Sequence, residues 1–221
     1  MEIIDFQLRN IQSKDWAILL FAIATIIIAI NKTLFGKRFS DFIRLATSDK
    51  YLKSYKNTSS LTNGFTIGFI FLYVLNISFL ILIILHQYNI KSKYDWMAFA
   101  QVFTLYSAYI SCKYIIEKIV SDTFGIDNFT DSFLLAKINY KNFLGLILLP
   151  FNLILYFNSS INNYIVVFVV GLICLINLIS YISVIKLNQN SIGNKIFYFI
   201  LYLCTLEIAP YYFIYYLITN K

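Results

Sequence analysis

Six apolar runs divide this chain, at residues 16–30, 64–85, 96–112, 143–157, 161–185 and 196–218, and they leave it few ways to fold. Long apolar runs without helical or strand alternation are the pattern of helices set in lipid, where each segment must satisfy its own backbone hydrogen bonds. Only 13% of the residues are charged and 59% are hydrophobic, with a mean hydropathy of +0.71. A soluble domain carries roughly 25% charged residues, so a water-soluble globule of this length lacks the polar surface to cover itself. The first and fourth runs fall short of the roughly 20 residues a span requires, and their helices are expected to draw in flanking residues. Spans are therefore expected at about 16–34, 64–85, 96–120, 133–157, 161–185 and 196–218, in an all-α polytopic transmembrane bundle with one domain over residues 1–221.

The placement of charge orients the bundle. Of the eighteen Lys and Arg residues, thirteen lie in or beside the connections after the first, third and fifth runs, among them Lys32, Lys37, Arg38, Arg44, Lys113, Lys118, Lys137, Lys141 and Lys186. The other five, Arg9, Lys14, Lys91, Lys93 and Lys221, fall on the opposite side. The positive-inside rule then puts both termini outside the cytoplasm. A net charge of +7 is accounted for by this asymmetry, and no nucleic-acid module is legible, so nucleic acid is not an expected partner. Arg9 and Lys14 precede an apolar stretch as in a signal peptide, but the stronger basic cluster follows it and no small-residue cleavage site closes it; a retained span is expected.

Between the first two spans lies the longest soluble stretch, residues 31–63. Phe35, Phe39, Phe42 and Ala46 recur at helical spacing there, with Lys37, Arg38 and Arg44 elsewhere on the wheel. That pattern suits a helix in the membrane interface, its cations drawn to anionic lipid headgroups at about 1 kcal/mol each; a basic connector that only fixes orientation fits equally. Past the third span the apolar rhythm continues through Ile115, Ile116 and Ile119, and the fourth begins early at Phe133 and Leu134. A helical hairpin projecting into the cytoplasm is expected, with residues 121–131 as its tip and Lys113 one turn before Glu117 on one face.

Polar residues inside the spans are few. Asn76, Gln101, Thr104, Asn152 and Asn177 are expected to hydrogen-bond between helices, at around 0.6 to 2 kcal/mol each, rather than to line a transport lumen. Gly64 with Gly68, and Thr25 with Ala29, are small-xxx-small pairs that favour close helix approach. Glu207 is the outlier: a carboxylate midway along the last run, with Pro210 nearby and Cys204 and Tyr211 on the same helical face. An ionisable group at that depth costs roughly 2.5 to 3.5 kcal/mol and faces protein or water. It serves either as a proton-binding or substrate-contacting acid or as a neutral carboxyl that ties helices together.

Enzyme chemistry has little footing. The single histidine, His86, stands at a span edge, neither HExxH nor GxSxG occurs, and no second mid-depth acid joins Glu207. Cys112, Cys174 and Cys204 all fall in spans as small hydrophobes, so no disulfide, metal site or cofactor is expected.

The segment Phe197-Tyr198-Phe199-Ile200-Leu201-Tyr202-Leu203-Cys204-Thr205-Leu206-Glu207-Ile208-Ala209-Pro210 resembles the closing signature of an integral membrane family of Bacteroidota catalogued as a domain of unknown function. The stretch Phe35-Gly36-Lys37-Arg38-Phe39 is similar to that family's start. The resemblance implies a bacterial inner-membrane protein, brings Glu207 and Pro210 forward as signature positions, and carries no activity. On these grounds the expected function is that of a non-enzymatic subunit or scaffold in an envelope assembly, with membrane-protein partners or copies of itself. A small proton-coupled transporter or channel using Glu207 is the alternative.

Overall fold

A computed structural model describes residues 14–46, 63–124, 127–158 and 163–187, and among these all regular structure is helical. The order is α1 (Asp15–Leu34), α2 (Gly36–Ile43) with a 3-10 turn at Arg44–Ala46, α3 (Gly64–Gln87), α4 (Trp96–Phe124), α5 (Asp127–Phe157) and α6 (Asn163–Leu187). Among the described residues, three stretches are long and apolar enough to cross a membrane: Asp15–Leu34, Gly64–Gln87 and Leu134–Phe157, with mean hydropathies of 2.2, 2.7 and 1.4. The expected sixth span at 196–218 lies outside the described residues.

The most apolar of these helices is also the central one. Fourteen of the 24 residues of α3 are buried, against four of 20 in α1, because a helix apolar all round can be covered on every side. Its principal neighbour is α5, and α1 and α4 pack beside it. The α3–α5 crossing is set by Gly145, where an added Cβ would lie 2.6 Å from Tyr73 Cα and 2.9 Å from its backbone nitrogen. Only a residue without a side chain lets the two backbones come that close.

Two aromatic clusters close the ends of the bundle. At one end Phe79 of α3 stacks on Phe21 and packs against Phe99, with centroids 4.5 Å apart in both pairs, while Trp16 and Tyr156 flank it. Such ring pairs add about 0.5 to 1.5 kcal/mol beyond the area they bury. At the other, basic end Phe42 packs against Phe65, Phe69 and Phe143. Two helix ends at the first of these are capped. After α3, Asn89 takes φ of 57°, the Ile90 N–H donates to Leu85 O and the Asn89 N–H to His86 O, both at 3.0 Å; this is a Schellman closure with Asn in the left-handed position that glycine usually fills. Asp95 caps α4 through Oδ1, which accepts from the Met97 N–H at 2.9 Å.

Three expectations need correction. The helix expected after span one is present as α2, but its apolar face meets protein, since Phe39 and Phe42 are buried against α3. Arg38 is likewise buried; its Nη2 donates to Thr66 Oγ1 at 3.5 Å and its guanidinium lies 4.8 Å from the Phe65 ring centre, so of the three expected lipid-facing cations only Lys37 and Arg44 are exposed. The small-residue pairs are also placed differently: Gly64 has nothing near it, Gly68 meets the Asn31 side chain, and Thr25 and Ala29 are both exposed. Backbone-to-backbone approach is instead at Gly145, a lone glycine with no small partner at the fourth position, which therefore carries no pair signal.

Candidate functional site

A cleft of about 1040 Å³ opens among α3, α4, α5 and α6. Its long walls are apolar: Ile70, Ile77 and Ile81 of α3, Leu105 and Ile110 of α4, and Ile173 of α6. Helical spacing explains the α3 wall, since residues 70, 77 and 81 return to one face every two turns or one. Toward the basic end the lining becomes polar, with Lys113 and Glu117 from α4 and Lys137, Lys141 and Asn142 from α5.

Glu117 and Lys137 form the centre of that polar end. Lys137 Nζ donates to Glu117 Oε1 at 2.9 Å, and the two residues are 3% and 6% exposed. Glu117 therefore bridges to the facing helix of the hairpin, where the sequence pattern had suggested Lys113 on its own helix as its neighbour. A pair this enclosed has lost most of its hydration, which makes its geometry indispensable even where its net contribution is small. One turn further out the exposed Lys118–Asp122 pair, 3.7 Å apart, is the ordinary i,i+4 contact and contributes little.

Asn142, which lines the same cleft, is 1% exposed, and neither its Nδ2 nor its Oδ1 has a hydrogen-bond partner. An unsatisfied buried amide costs about 1 to 3 kcal/mol per polar group, so such a side chain on a cleft wall marks a place where a ligand or water would be held. Midway along the cleft Tyr73 and Tyr106 join α3 to α4 through their hydroxyls, 2.8 Å apart.

A family model, Domain of unknown function (DUF4271), matches residues 17–218. The chain belongs to that family. No curated protein and no solved structure matches it. In this DUF4271 member the polar residues of the long helices fall in three places. Asn76 and Asn152 come together at the α3–α5 interface: Asn152 Nδ2 donates to Asn76 O at 2.7 Å and to its Oδ1 at 3.1 Å, and Asn76 Nδ2 donates back to Leu72 O at 3.0 Å. They tie helices together, as expected of amides at that depth. Gln101 and Thr104 are not brought to them; both are on the exposed side of α4, with Thr104 Oγ1 donating to Ala100 O at 2.9 Å. Asn177 lines the cleft and donates to Ile173 O at 2.9 Å. Cys112 and Cys174 are exposed. Glu207, Pro210, Cys204 and Tyr211 lie outside the described residues.

Sequence reasoning passed over Lys93, which stands in the turn between α3 and α4. It is fully buried, donates from Nζ to Asn158 O at 2.5 Å, and has its ammonium 5.3 Å from the Tyr94 ring centre. Its only sequence signal was its count among the minority of basic residues at that end. Burial lowers its pKa from the ordinary 10.5, because a desolvated ammonium is disfavoured against the neutral amine. Between the lowered value and 10.5 the unfolded chain binds a proton that the folded chain does not, so stability rises with pH across that window. Melting temperature in detergent should climb as the pH is raised through that window, and Lys93→Met should flatten the climb. A slope unaltered by Lys93→Met would rule out this account.

Proposed function

We propose that this protein is a non-enzymatic subunit or scaffold of an envelope assembly concerned with secretion or biogenesis. In this reading it is set in a bacterial inner membrane by six spans with both termini in the periplasm. The thirteen-to-five division of basic residues supports that orientation. The observation that carries the reading is the far part of α4. Ile115, Ile116 and Ile119 are 55%, 47% and 58% exposed, although that stretch also holds Lys113, Glu117, Lys118 and Asp122. Hydrocarbon does not accept charge at that density. The isoleucines therefore stand at or beyond the headgroups, where clustered exposed apolar side chains mark a surface for protein contact.

A tagged copy extracted in gentle detergent should co-purify with defined membrane proteins or with untagged copies of itself. Ile115→Asp together with Ile119→Asp should release them without lowering the melting temperature, because both side chains already face outward. Recovery of the wild-type protein alone, or retention of the same partners by the double variant, would overturn the reading.

A further inference from the structure

We propose that the cleft among α3, α4, α5 and α6 is the docking groove for this chain's own last apolar segment, residues 196–218, with Glu207 brought to the hydroxyl pair of Tyr73 and Tyr106. Among the described residues α4 packs on α3 and α6 packs on α5, while α4 and α6 do not pack closely on each other. The cleft, about 1040 Å³ in volume, is therefore a slot between two helices over a floor made by two others. Its α3 wall runs from Ile67 to Ile81, about 21 Å at the helical rise per residue. A groove that long and that apolar accepts a helix lying along it.

Connectivity favours this segment as the occupant. Ile173 and Asn177 of α6 line the slot, α6 ends at Leu187, and the last apolar run begins after only the eight residues 188–195. A connection this short returns a chain beside the helix it has just left, as an antiparallel neighbour. On one side of α6 that place is held by α5, and on the side of Ile173 and Asn177 it is the slot.

Polar groups match as well. The register rests on the six-span arrangement proposed above, in which residues 196–218 run in the same direction as α3. With Ile196 level with Gly64 at the basic end, Glu207 is level with Leu75, two residues or about 3 Å along the axis from Tyr73. A carboxyl at that depth must face protein or water. The Tyr73 and Tyr106 hydroxyls are 2.8 Å apart; one proton lies between the two oxygens and the other is directed elsewhere, as a donor suited to a carboxyl. Both stripes share a spacing of three and four residues. On α3 it is Ile70, Tyr73, Ile77 and Ile81; on the last segment it is Leu203, Glu207, Tyr211 and Ile214. Each has a polar group near its middle and aliphatic ends.

Disulfide trapping in the full chain, with Cys112, Cys174 and Cys204 replaced by Ser, tests the docking. Ile70→Cys with Leu203→Cys, and Ile81→Cys with Ile214→Cys, should each close within one chain on mild oxidation, because a disulfide needs α-carbons within roughly 7 Å. Ile70→Cys with Ile214→Cys, out of register by about 16 Å, should not. Failure of both matched pairs, equal closure of the mismatched pair, or links that join two chains instead of one would overturn the proposal. The six-span reading is checked apart from it: Asn220→Cys should react with an impermeant maleimide on spheroplasts. Labelling only after lysis would overturn the arrangement and the register with it, whereas outside labelling without matched links would overturn the docking alone.

The role of Glu207 is read by coupling. Glu207→Leu should lower the melting temperature in detergent, and Glu207→Gln should keep most of it, since an amide still bonds to a hydroxyl. In a background of Tyr73→Phe with Tyr106→Phe, the drop caused by Glu207→Leu should be clearly smaller. Equal drops in both backgrounds would overturn the pairing of Glu207 with the tyrosines.

Discussion

Gly145→Leu is expected to prevent the native packing of α3 on α5, and Gly145→Ala to weaken it measurably. The α-carbon of Tyr73 lies 2.6 Å from where even a methyl group would sit. Backbone cannot turn aside as a flexible side chain does, so the helices must separate. Exchanging glycine for alanine in a helix gains roughly 0.5 to 1 kcal/mol, whereas overpacking a close-packed interface costs typically about 1 to 3 kcal/mol. The clash wins. Separation of these helices would also loosen the Asn76–Asn152 bridge on the same interface, which makes the cost of Leu larger. Gly171→Ala is the matched control: nothing lies within 4 Å of its position, so only the propensity gain remains. Unfolding of the purified variants in detergent, by heat or by added dodecyl sulfate, should rank Gly171→Ala at or above wild type, Gly145→Ala below it, and Gly145→Leu lowest or not recoverable in folded form. A Gly145→Ala protein as stable as Gly171→Ala would show that the crossing is not so close.

The second large effect is expected at the base of the α4–α5 hairpin. Glu117→Leu leaves Lys137 buried without its carboxylate, and Lys137→Met leaves Glu117 without its ammonium. Either change should cost about 3 to 5 kcal/mol, because the survivor is a charge in a site with little water. Removing both replaces an ion pair by apolar side chains of similar volume, a change that is often neutral or stabilising. The double variant should therefore lie far closer to wild type than either single one. A double-mutant cycle on unfolding free energy measures this directly, and additive losses across the cycle would show that the two residues act independently. The exposed Lys118–Asp122 pair offers a contrast: Asp122→Asn should change stability by well under about 1 kcal/mol.

How much of this was legible beforehand differs from element to element. Helices α1, α3, α4, α5 and α6 coincide with the first five apolar runs plus flanks, since a helix satisfies its backbone hydrogen bonds within one segment. The extension of α4 and α5 past their apolar runs was legible from Ile115, Ile116, Ile119 and Leu134 at helical spacing. Partners within that extension were not. Glu117 has Lys113 one turn away on its own helix, and periodicity along one helix gives no information about the helix opposite. The outcome at α2 has the same cause: its wheel shows an apolar face, but a face of phenylalanines suits a lipid surface and the flank of a bundle equally, and only the position of Phe65 and Phe69 on α3 decides between them.

What sequence by itself determined is therefore one-dimensional: a helical fold, where most helices lie, which end is basic, and the scarcity of polar groups in the apolar runs. These follow from length, hydropathy and charge, which are sums over neighbouring residues. Tertiary structure alone decided which residues meet. It made α3 the core, assigned the closest approach to Gly145, brought Asn152 to Asn76 and Lys137 to Glu117, buried Arg38 and Lys93, and left Asn142 unpartnered on a cleft wall. Each of these depends on two segments far apart in the chain arriving at one point, and the free energy of that meeting comes from close packing and paired polar groups that no single segment contains.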